Sequence, residues 1–118
     1  MKILLVDDEN LIRRALFMGL QVKGHSPVEA KYPLEALKKI KEEQFDLIVF
    51  DYKMSLLSGG DLIKILQSRK NKTPALILTS MSVQEMNTAG IKLGQKQILS
   101  KDKPIEEIIN NIESYCSV

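Results

Sequence analysis

The stretch Phe45-Asp-Leu-Ile-Val-Phe-Asp51 decides the fold. Apolar or aromatic side chains fill five of its seven positions. A run this short and this apolar is typical of a β-strand that is buried on both faces of a sheet. Its last residue is an acid, and open parallel sheets bind ligands at the carboxyl ends of their strands. The sequence therefore raises the question of which other groups converge on Asp51.

Length and composition indicate a single domain, residues 1–118, with its own hydrophobic core. The chain carries 17 basic and 15 acidic residues, and this balance gives no reason to expect binding to nucleic acid or to a membrane. Its one cysteine, Cys116, excludes an internal disulfide and fits a reducing compartment. Since neither a signal peptide nor a membrane-spanning run is visible, a cytoplasmic protein is expected.

Strand and helix patterns alternate five times along the chain. Continuous apolar runs at 2–6 and 75–79 predict two more buried strands, and 97–99 predicts a short fifth strand. Residues 25–30 predict an edge strand, because Pro27 has no amide hydrogen to donate to a neighbour. This alternation predicts a doubly wound α/β fold, (βα)5, with a parallel five-stranded sheet in the order 2-1-3-4-5 and helices on both faces.

The predicted helices each show an apolar stripe. Residues expected to face inward from the first two helices are Leu11, Ile12, Ala15, Leu16, Gly19, Leu20, Leu34, Ala36, Leu37 and Ile40. Arg13 and Arg14 are expected to face water. Ser82 and Glu85 predict a capping box that begins the fourth helix.

Charged and hydroxyl side chains collect at one edge of this predicted sheet. Asp7 and Asp8 follow the first strand, Asp51 ends the third, and these strands are neighbours. Each carboxylate pair at about 4 Å costs on the order of 4 kcal/mol at an effective dielectric near 20, so three carboxylates require cations. Oxygen ligands alone favour Mg²⁺ or Ca²⁺ over zinc. Thr79 and Lys101 emerge at the same edge and complete the groups that phosphoryl transfer needs.

Four short motifs in this order resemble the receiver domain of two-component response regulators, over essentially the whole chain. The motifs are the acidic pair in Val6-Asp-Asp8, the phosphoacceptor loop in Asp51-Tyr-Lys-Met54 with Gly59, the Thr/Ser motif in Leu78-Thr-Ser80 and the lysine motif in Leu99-Ser-Lys101. The resemblance implies a flavodoxin-like, CheY-like fold and a signalling switch in a phosphorelay.

The resemblance also implies a site for Mg²⁺ and a phosphoryl group. Asp51 would accept the phosphoryl group from a histidine kinase, a phosphotransfer protein or a small phosphodonor. Asp8, Asp51 and the backbone carbonyl of Lys53 would bind Mg²⁺, and Asp7 would hold the metal mainly through water. The domain would catalyse only its own phosphorylation and dephosphorylation, and would not otherwise be an enzyme.

Two further residues and one surface complete what the resemblance implies. Thr79 would donate a hydrogen bond to one phosphoryl oxygen, and Lys101 would pair with another. These contacts would reshape the surface made by the fourth helix, fifth strand and fifth helix. A downstream effector, an output domain or a second copy of the chain would bind this surface, with no direct binding of nucleic acid by the domain.

Some positions depart from the family pattern, and they keep alternatives open. Ile98 stands where the family has an aromatic switch residue, which favours a second interpretation: a degenerate receiver that binds a partner independently of phosphorylation. Lys53 lies two residues after Asp51, where aspartyl phosphatases of similar topology need a second acid. We hypothesise that Lys53 partly neutralises the acidic pocket and lowers Mg²⁺ affinity, or that it alters the attack of water on the acyl phosphate. Asp102 replaces the usual proline, so a trans peptide bond is expected. Taken singly, Asp7 and Asp8 could simply cap the first helix.

Overall fold

Five parallel strands form the sheet in the computed structural model, which describes residues 1–52, 59–82, 84–85 and 98–116. The strands are β1 (Lys2–Val6), β2 (Ser26–Ala30), β3 (Leu47–Asp51), β4 (Ala75–Thr79) and β5 (Ile98–Ser100). Their order is β2-β1-β3-β4-β5, which confirms the predicted topology. β1 lies between β2 and β3, so the acids that follow β1 lie beside the end of β3.

Helices cover both faces of the sheet, as predicted. The described residues include α1 (Asn10–Val22), α2 (Pro33–Glu42), α3 (Gly59–Ser68) and the C-terminal helix (Ile105–Cys116). Alternate residues of β1 enter different cores: Ile3 and Leu5 pack with α1 and the C-terminal helix, whereas Leu4 and Val6 pack with α2 and α3. This alternation explains why the central strands read as continuous apolar runs.

Local signals account for several of the element ends. Pro27 lies in β2, which is an edge strand and tolerates the missing donor. Gly24 follows α1 with φ of +90°, a conformation that glycine adopts without steric cost. β3 begins at Leu47 rather than Phe45, although Phe45 is buried, and β5 extends to Ser100.

Three side chains on α1 and α2 contradict the predicted orientations. Leu11 and Leu34 are 86% and 65% exposed, because both lie in a first helical turn on the side away from the sheet. Arg13 is buried rather than facing water. Its guanidinium donates to the Asp7 carbonyl (2.7 Å), Asn10 Oδ1 (2.7 Å) and Glu29 Oε1 (3.1 Å), and these acceptors replace the water that it loses.

The capping box predicted after β4 is present. The Glu85 amide donates to Ser82 Oγ at 3.1 Å, and the Ser82 amide donates to Glu85 Oε1 at 3.4 Å. The rest of that predicted helix lies outside the described residues. The described peptide bonds are all trans, including the bond between Lys101 and Asp102. Within the described ranges no helix has the length and apolar character needed to cross a membrane.

Candidate functional site

The carboxyl ends of four strands bring the predicted site residues together. Asp7 follows β1, Asp51 ends β3, Thr79 ends β4 and Lys101 follows β5. All four are buried, with exposed fractions between 2% and 7%. The Lys101 amide donates to the Thr79 carbonyl at 2.8 Å, which continues the pairing of β4 and β5 up to the site. The site is therefore positioned by the sheet itself.

The Lys101 ammonium lies among three carboxylates. Its Nζ is 2.9 Å from Asp51 Oδ2, 2.8 Å from Glu9 Oε1 and 3.1 Å from Asp7 Oδ2. Burial lowers the pKa of Lys101, but the hydrogen bonds to Glu9, Asp51 and Asp7 outweigh it and hold the pKa above its usual range. Lys101 is therefore a fixed positive charge next to Asp51.

Three aspartates form a compact group of oxygen donors. One carboxylate oxygen from each of Asp7, Asp8 and Asp51 lies within 4.8 Å of the others. Burial raises the pKa of Asp7, against the lowering effect of the Glu9 amide and Lys101. In the described part of the chain, Asp7 Oδ2 is the one buried side-chain polar atom without a hydrogen bond. An oxygen-only set of three carboxylates, in which Asp7 Oδ2 has no hydrogen bond and is paired only with the Lys101 ammonium at 3.1 Å, fits a hard divalent cation such as Mg²⁺.

Thr79 faces a small cavity beside these acids. Its Oγ1 accepts a hydrogen bond from the Met81 amide at 3.0 Å, which leaves the hydroxyl hydrogen able to donate. The cavity has a volume of about 160 Å³ and is lined by Glu9, Asp51, Thr79, Ser80, Met81, Glu85 and Lys101. It is an opening from solvent to Asp51.

Two residues of this region were not singled out by their positions in the sequence. Glu9 accepts a hydrogen bond from the Lys101 ammonium, and the Arg13 guanidinium donates one to the backbone carbonyl of Asp7. Arg13 carried a signal: it precedes Leu16 by three residues and Leu20 by seven, and so shares their inward face. For Glu9 the only signal in the sequence was its position directly after the acidic pair Asp7-Asp8.

Two sequence-based interpretations remain to be compared with the structure: the role of Lys53 and the helix-cap role of Asp7. Lys53 lies outside the described residues, so its carbonyl as a metal ligand and its effect on metal affinity stay predictions. Asp7 Oδ1 accepts the Glu9 amide at 2.8 Å, just before α1 begins, so this carboxylate also stabilises the chain entering the helix. The N-cap residue of α1 is Glu9, without a side-chain cap hydrogen bond, so the prediction that Asp7 or Asp8 caps the helix is wrong. The contact from Asp7 to the Glu9 amide stabilises the turn before the helix and is compatible with metal binding.

The fold and the site together define a class of domain: an open parallel α/β sheet with acids at the ends of its central strands β1 and β3 and a lysine after the edge strand β5. The family model described as "Response regulator receiver domain" matches residues 3–113. The chain therefore belongs to the response regulator receiver domain family, and it is a receiver domain of two-component systems.

Relatives and solved structures agree with this assignment. Response regulator MprA of Mycobacterium leprae is 31% identical over 114 residues, which are 97% of this chain and 50% of that protein. The chain spans about half the length of the curated relatives it matches. The chemotaxis response regulator CheY4 of Vibrio cholerae is 30% identical with a TM-score of 0.83, covering 96% of both chains.

A third similar structure is that of response regulator TrrA from Thermotoga maritima, solved in complex with Mg²⁺ and BeF. It is 26% identical to this chain with a TM-score of 0.77, and the match covers 96% of each chain.

Proposed function

We propose that Asp51 accepts a phosphoryl group from a histidine kinase or phosphotransfer protein, with Mg²⁺ as cofactor, and that the domain then acts as a conformational switch. The observation that carries this proposal is the contact between Lys101 Nζ and Asp51 Oδ2 (2.9 Å) beside the oxygens of Asp7 and Asp8. A nucleophilic carboxylate, a fixed ammonium and a donor set for a divalent cation are then in one place. The complex of TrrA with Mg²⁺ and BeF supports the same use of the site here.

The reaction forms a bond from an Asp51 carboxylate oxygen to phosphorus and breaks the bond from phosphorus to the donor nitrogen. The electron pair of the broken bond leaves with the donor's imidazole. Lys101 neutralises charge on one phosphoryl oxygen, and the Thr79 hydroxyl donates to another. Asp7, Asp8 and Asp51 would hold Mg²⁺, which supplies electrostatic stabilisation of the phosphoryl oxygens. Preorganisation by the buried strand ends is the protein's own contribution.

Intact mass spectrometry tests the proposal directly. The domain is incubated with acetyl phosphate and Mg²⁺, and the expected result is a gain of one phosphoryl group. Asp51→Asn is the matched control, because it keeps the shape of the side chain and removes the nucleophile. A wild-type protein that gains no mass, or an Asp51→Asn variant that gains as much, would contradict the proposal.

One observation favours a second candidate function, a receiver whose binding to partners does not depend on phosphorylation. Ile98 lies half-buried in β5 at the position of the family's aromatic switch residue, and isoleucine has no hydroxyl or ring to reorient. NMR spectra with beryllofluoride and Mg²⁺ separate the two functions. A conformational switch predicts shifts that spread from the site to β5 and the C-terminal helix; shifts confined to the site favour the second function.

The partners proposed here follow from the family. Receiver domains work with histidine kinases and downstream effectors, and we assign the effector or a second copy of this chain to the face of β5 and its flanking helices. Much of this face, including Lys92 and Lys96, lies outside the described residues. We also propose that the domain hydrolyses no other phosphate ester and acts in the cytoplasm. A phosphatase assay in which the domain hydrolyses no phosphate ester would agree with the first of these two proposals.

A further inference from the structure

Arg13 is a buried cation of α1 whose guanidinium contacts the backbone of the turn after β1. The residue is 8% exposed. Its Nη1 donates to the Asp7 carbonyl at 2.7 Å, its Nη2 donates to Asn10 Oδ1 at 2.7 Å, and its Nε donates to Glu29 Oε1 at 3.1 Å. One side chain therefore connects three segments: the turn that carries the acidic pair, the first turn of α1 and the edge strand β2.

The edge strand holds this guanidinium in place. Glu29 lies in β2 with a side chain that is 21% exposed, and its second oxygen, Oε2, accepts a hydrogen bond from Arg14 Nη1. The Asp7 amide also donates to the carbonyl of Ala30 in the same strand, at 3.2 Å. Both polar backbone atoms of Asp7 are thus held from β2, the N–H directly and the C=O through Arg13.

The carbonyl of Asp7 and the amide of Asp8 belong to one planar peptide unit. The direction of this plane sets ψ of Asp7 and φ of Asp8, and therefore the directions in which the two side chains leave the backbone. Glu9, the N-cap residue of α1, makes no side-chain cap hydrogen bond, so a capping side chain at that position does not restrain the turn. The hydrogen bond from Arg13 supplies a restraint on the peptide plane itself.

We propose that Arg13 is a positioning residue for the divalent-cation site. Its guanidinium fixes the peptide plane between Asp7 and Asp8, so that one oxygen of each carboxylate lies within 4.8 Å of an Asp51 oxygen. This inference rests on the proposed function, and it adds a residue that supports Mg²⁺ binding without being a ligand. The metal site then depends on β2, a strand that contributes no carboxylate to it.

Two other roles for Arg13 predict different results. If Arg13 acted only through its charge, it would repel Mg²⁺, and removing that charge at a separation on the order of 10 Å in a water-like dielectric would raise Mg²⁺ affinity roughly fourfold. If Arg13 only held α1 on the sheet, any core substitution of similar cost to stability would weaken Mg²⁺ binding equally. Positioning predicts a fall in affinity on the order of tenfold, as for the loss of an outer-shell contact.

The experiment measures Mg²⁺ affinity by titration calorimetry and stability by urea unfolding without metal. The proteins are wild type, Arg13→Lys, Arg13→Met, Arg14→Lys and Leu20→Ala. Lysine keeps the charge, but its ammonium cannot hold the three acceptors that the planar guanidinium holds. Arg14→Lys is the same substitution at the neighbouring residue, which pairs with the other oxygen of Glu29. Leu20 is fully buried toward the far end of α1, and Leu20→Ala lowers stability through a cavity.

A second readout needs no metal. In NMR spectra of the metal-free protein, the residual dipolar coupling of the Asp8 N–H reports the direction of the peptide plane. We expect this coupling to change in Arg13→Lys and to stay at its wild-type value in Arg14→Lys.

We expect Mg²⁺ affinity to fall on the order of tenfold in both Arg13 variants and to stay close to wild type in Arg14→Lys and Leu20→Ala. Wild-type affinity or an unchanged Asp8 coupling in Arg13→Lys, tighter binding in Arg13→Met, or an equal loss in Leu20→Ala overturns the inference and leaves the proposed function standing. If Arg13→Met does not fold, Arg13→Lys decides. A wild-type protein that binds no Mg²⁺ overturns the proposed function and the inference together.

Discussion

Replacing Lys101 with methionine is expected to lower the free energy of unfolding of the metal-free protein by about 3–5 kcal/mol, the usual cost of removing one partner from a buried ion pair. The Lys101 side chain is 4% exposed, and its ammonium is the positive charge that lies between Asp7 and Asp51. Methionine keeps most of the apolar stem, so the loss reports the charge rather than a cavity. Urea unfolding followed by circular dichroism measures it.

Two conditions should reduce this loss if its cause is electrostatic. Mg²⁺ should stabilise Lys101→Met more than it stabilises wild type, because a bound cation restores positive charge among the aspartates. Acidic pH should also reduce the difference, because the stranded carboxylates can take up protons.

Lys103→Met is the matched control for this prediction. Lys103 is exposed and pairs with Glu107 one helical turn away, so its removal should change stability by less than about 1 kcal/mol. If Lys101→Met costs no more than Lys103→Met, the buried ion cluster contributes nothing to stability.

The strands could be predicted from the sequence because their signals are local and redundant. β1, β3 and β4 are buried on both faces, so nearly every position is apolar and a shift of one residue changes little in the pattern. Helix orientation was harder, since a helix has one inward stripe whose edges depend on packing. Leu11 and Leu34 fit the apolar spacing but lie in first turns that no element within the described ranges covers.

The candidate site was predictable to the extent that its residues sit at strand ends. Asp51, Thr79 and Lys101 each follow or end an apolar run, and a parallel sheet brings such positions to one edge. The contacts of Arg13 and Glu9 could not be predicted in the same way. They depend on side-chain reach across elements, from α1 to β2 and from the end of β1 to the end of β5.

Replacing Asp7 with asparagine is expected to weaken Mg²⁺ binding while leaving the metal-free fold at least as stable at neutral pH. Burial raises the pKa of Asp7 from its ordinary value of 3.8, so the charged form is disfavoured in the folded state. A carboxyl group with a raised folded pKa contributes stability below its unfolded pKa, and this contribution is lost as pH rises through the folded pKa. Asparagine has no such dependence.

Two measurements test this prediction, one of stability against pH and one of Mg²⁺ affinity. The stability of Asp7→Asn relative to wild type should increase as the pH rises from about 4 through the raised folded pKa of Asp7, in urea unfolding without metal. Mg²⁺ affinity, measured by titration calorimetry, should fall roughly 10–100-fold, as expected for a group that holds a metal through an outer-shell contact. Asp102→Asn removes an exposed charge at the same edge and should leave both quantities close to wild type.

Asp7→Ala then separates the two roles that the structure gives this side chain. In wild type the Glu9 amide donates a hydrogen bond to Asp7 Oδ1 at 2.8 Å. Asparagine can still accept this hydrogen bond through its Oδ1, whereas alanine cannot. If the carboxylate serves the metal, both variants lose Mg²⁺ affinity alike, and only alanine loses the hydrogen bond before α1, at a cost of about 1 kcal/mol. If its main role is to fix the start of α1, asparagine should bind Mg²⁺ nearly as well as wild type. That result would remove Asp7 from the metal site and leave Asp8 and Asp51 as its carboxylates.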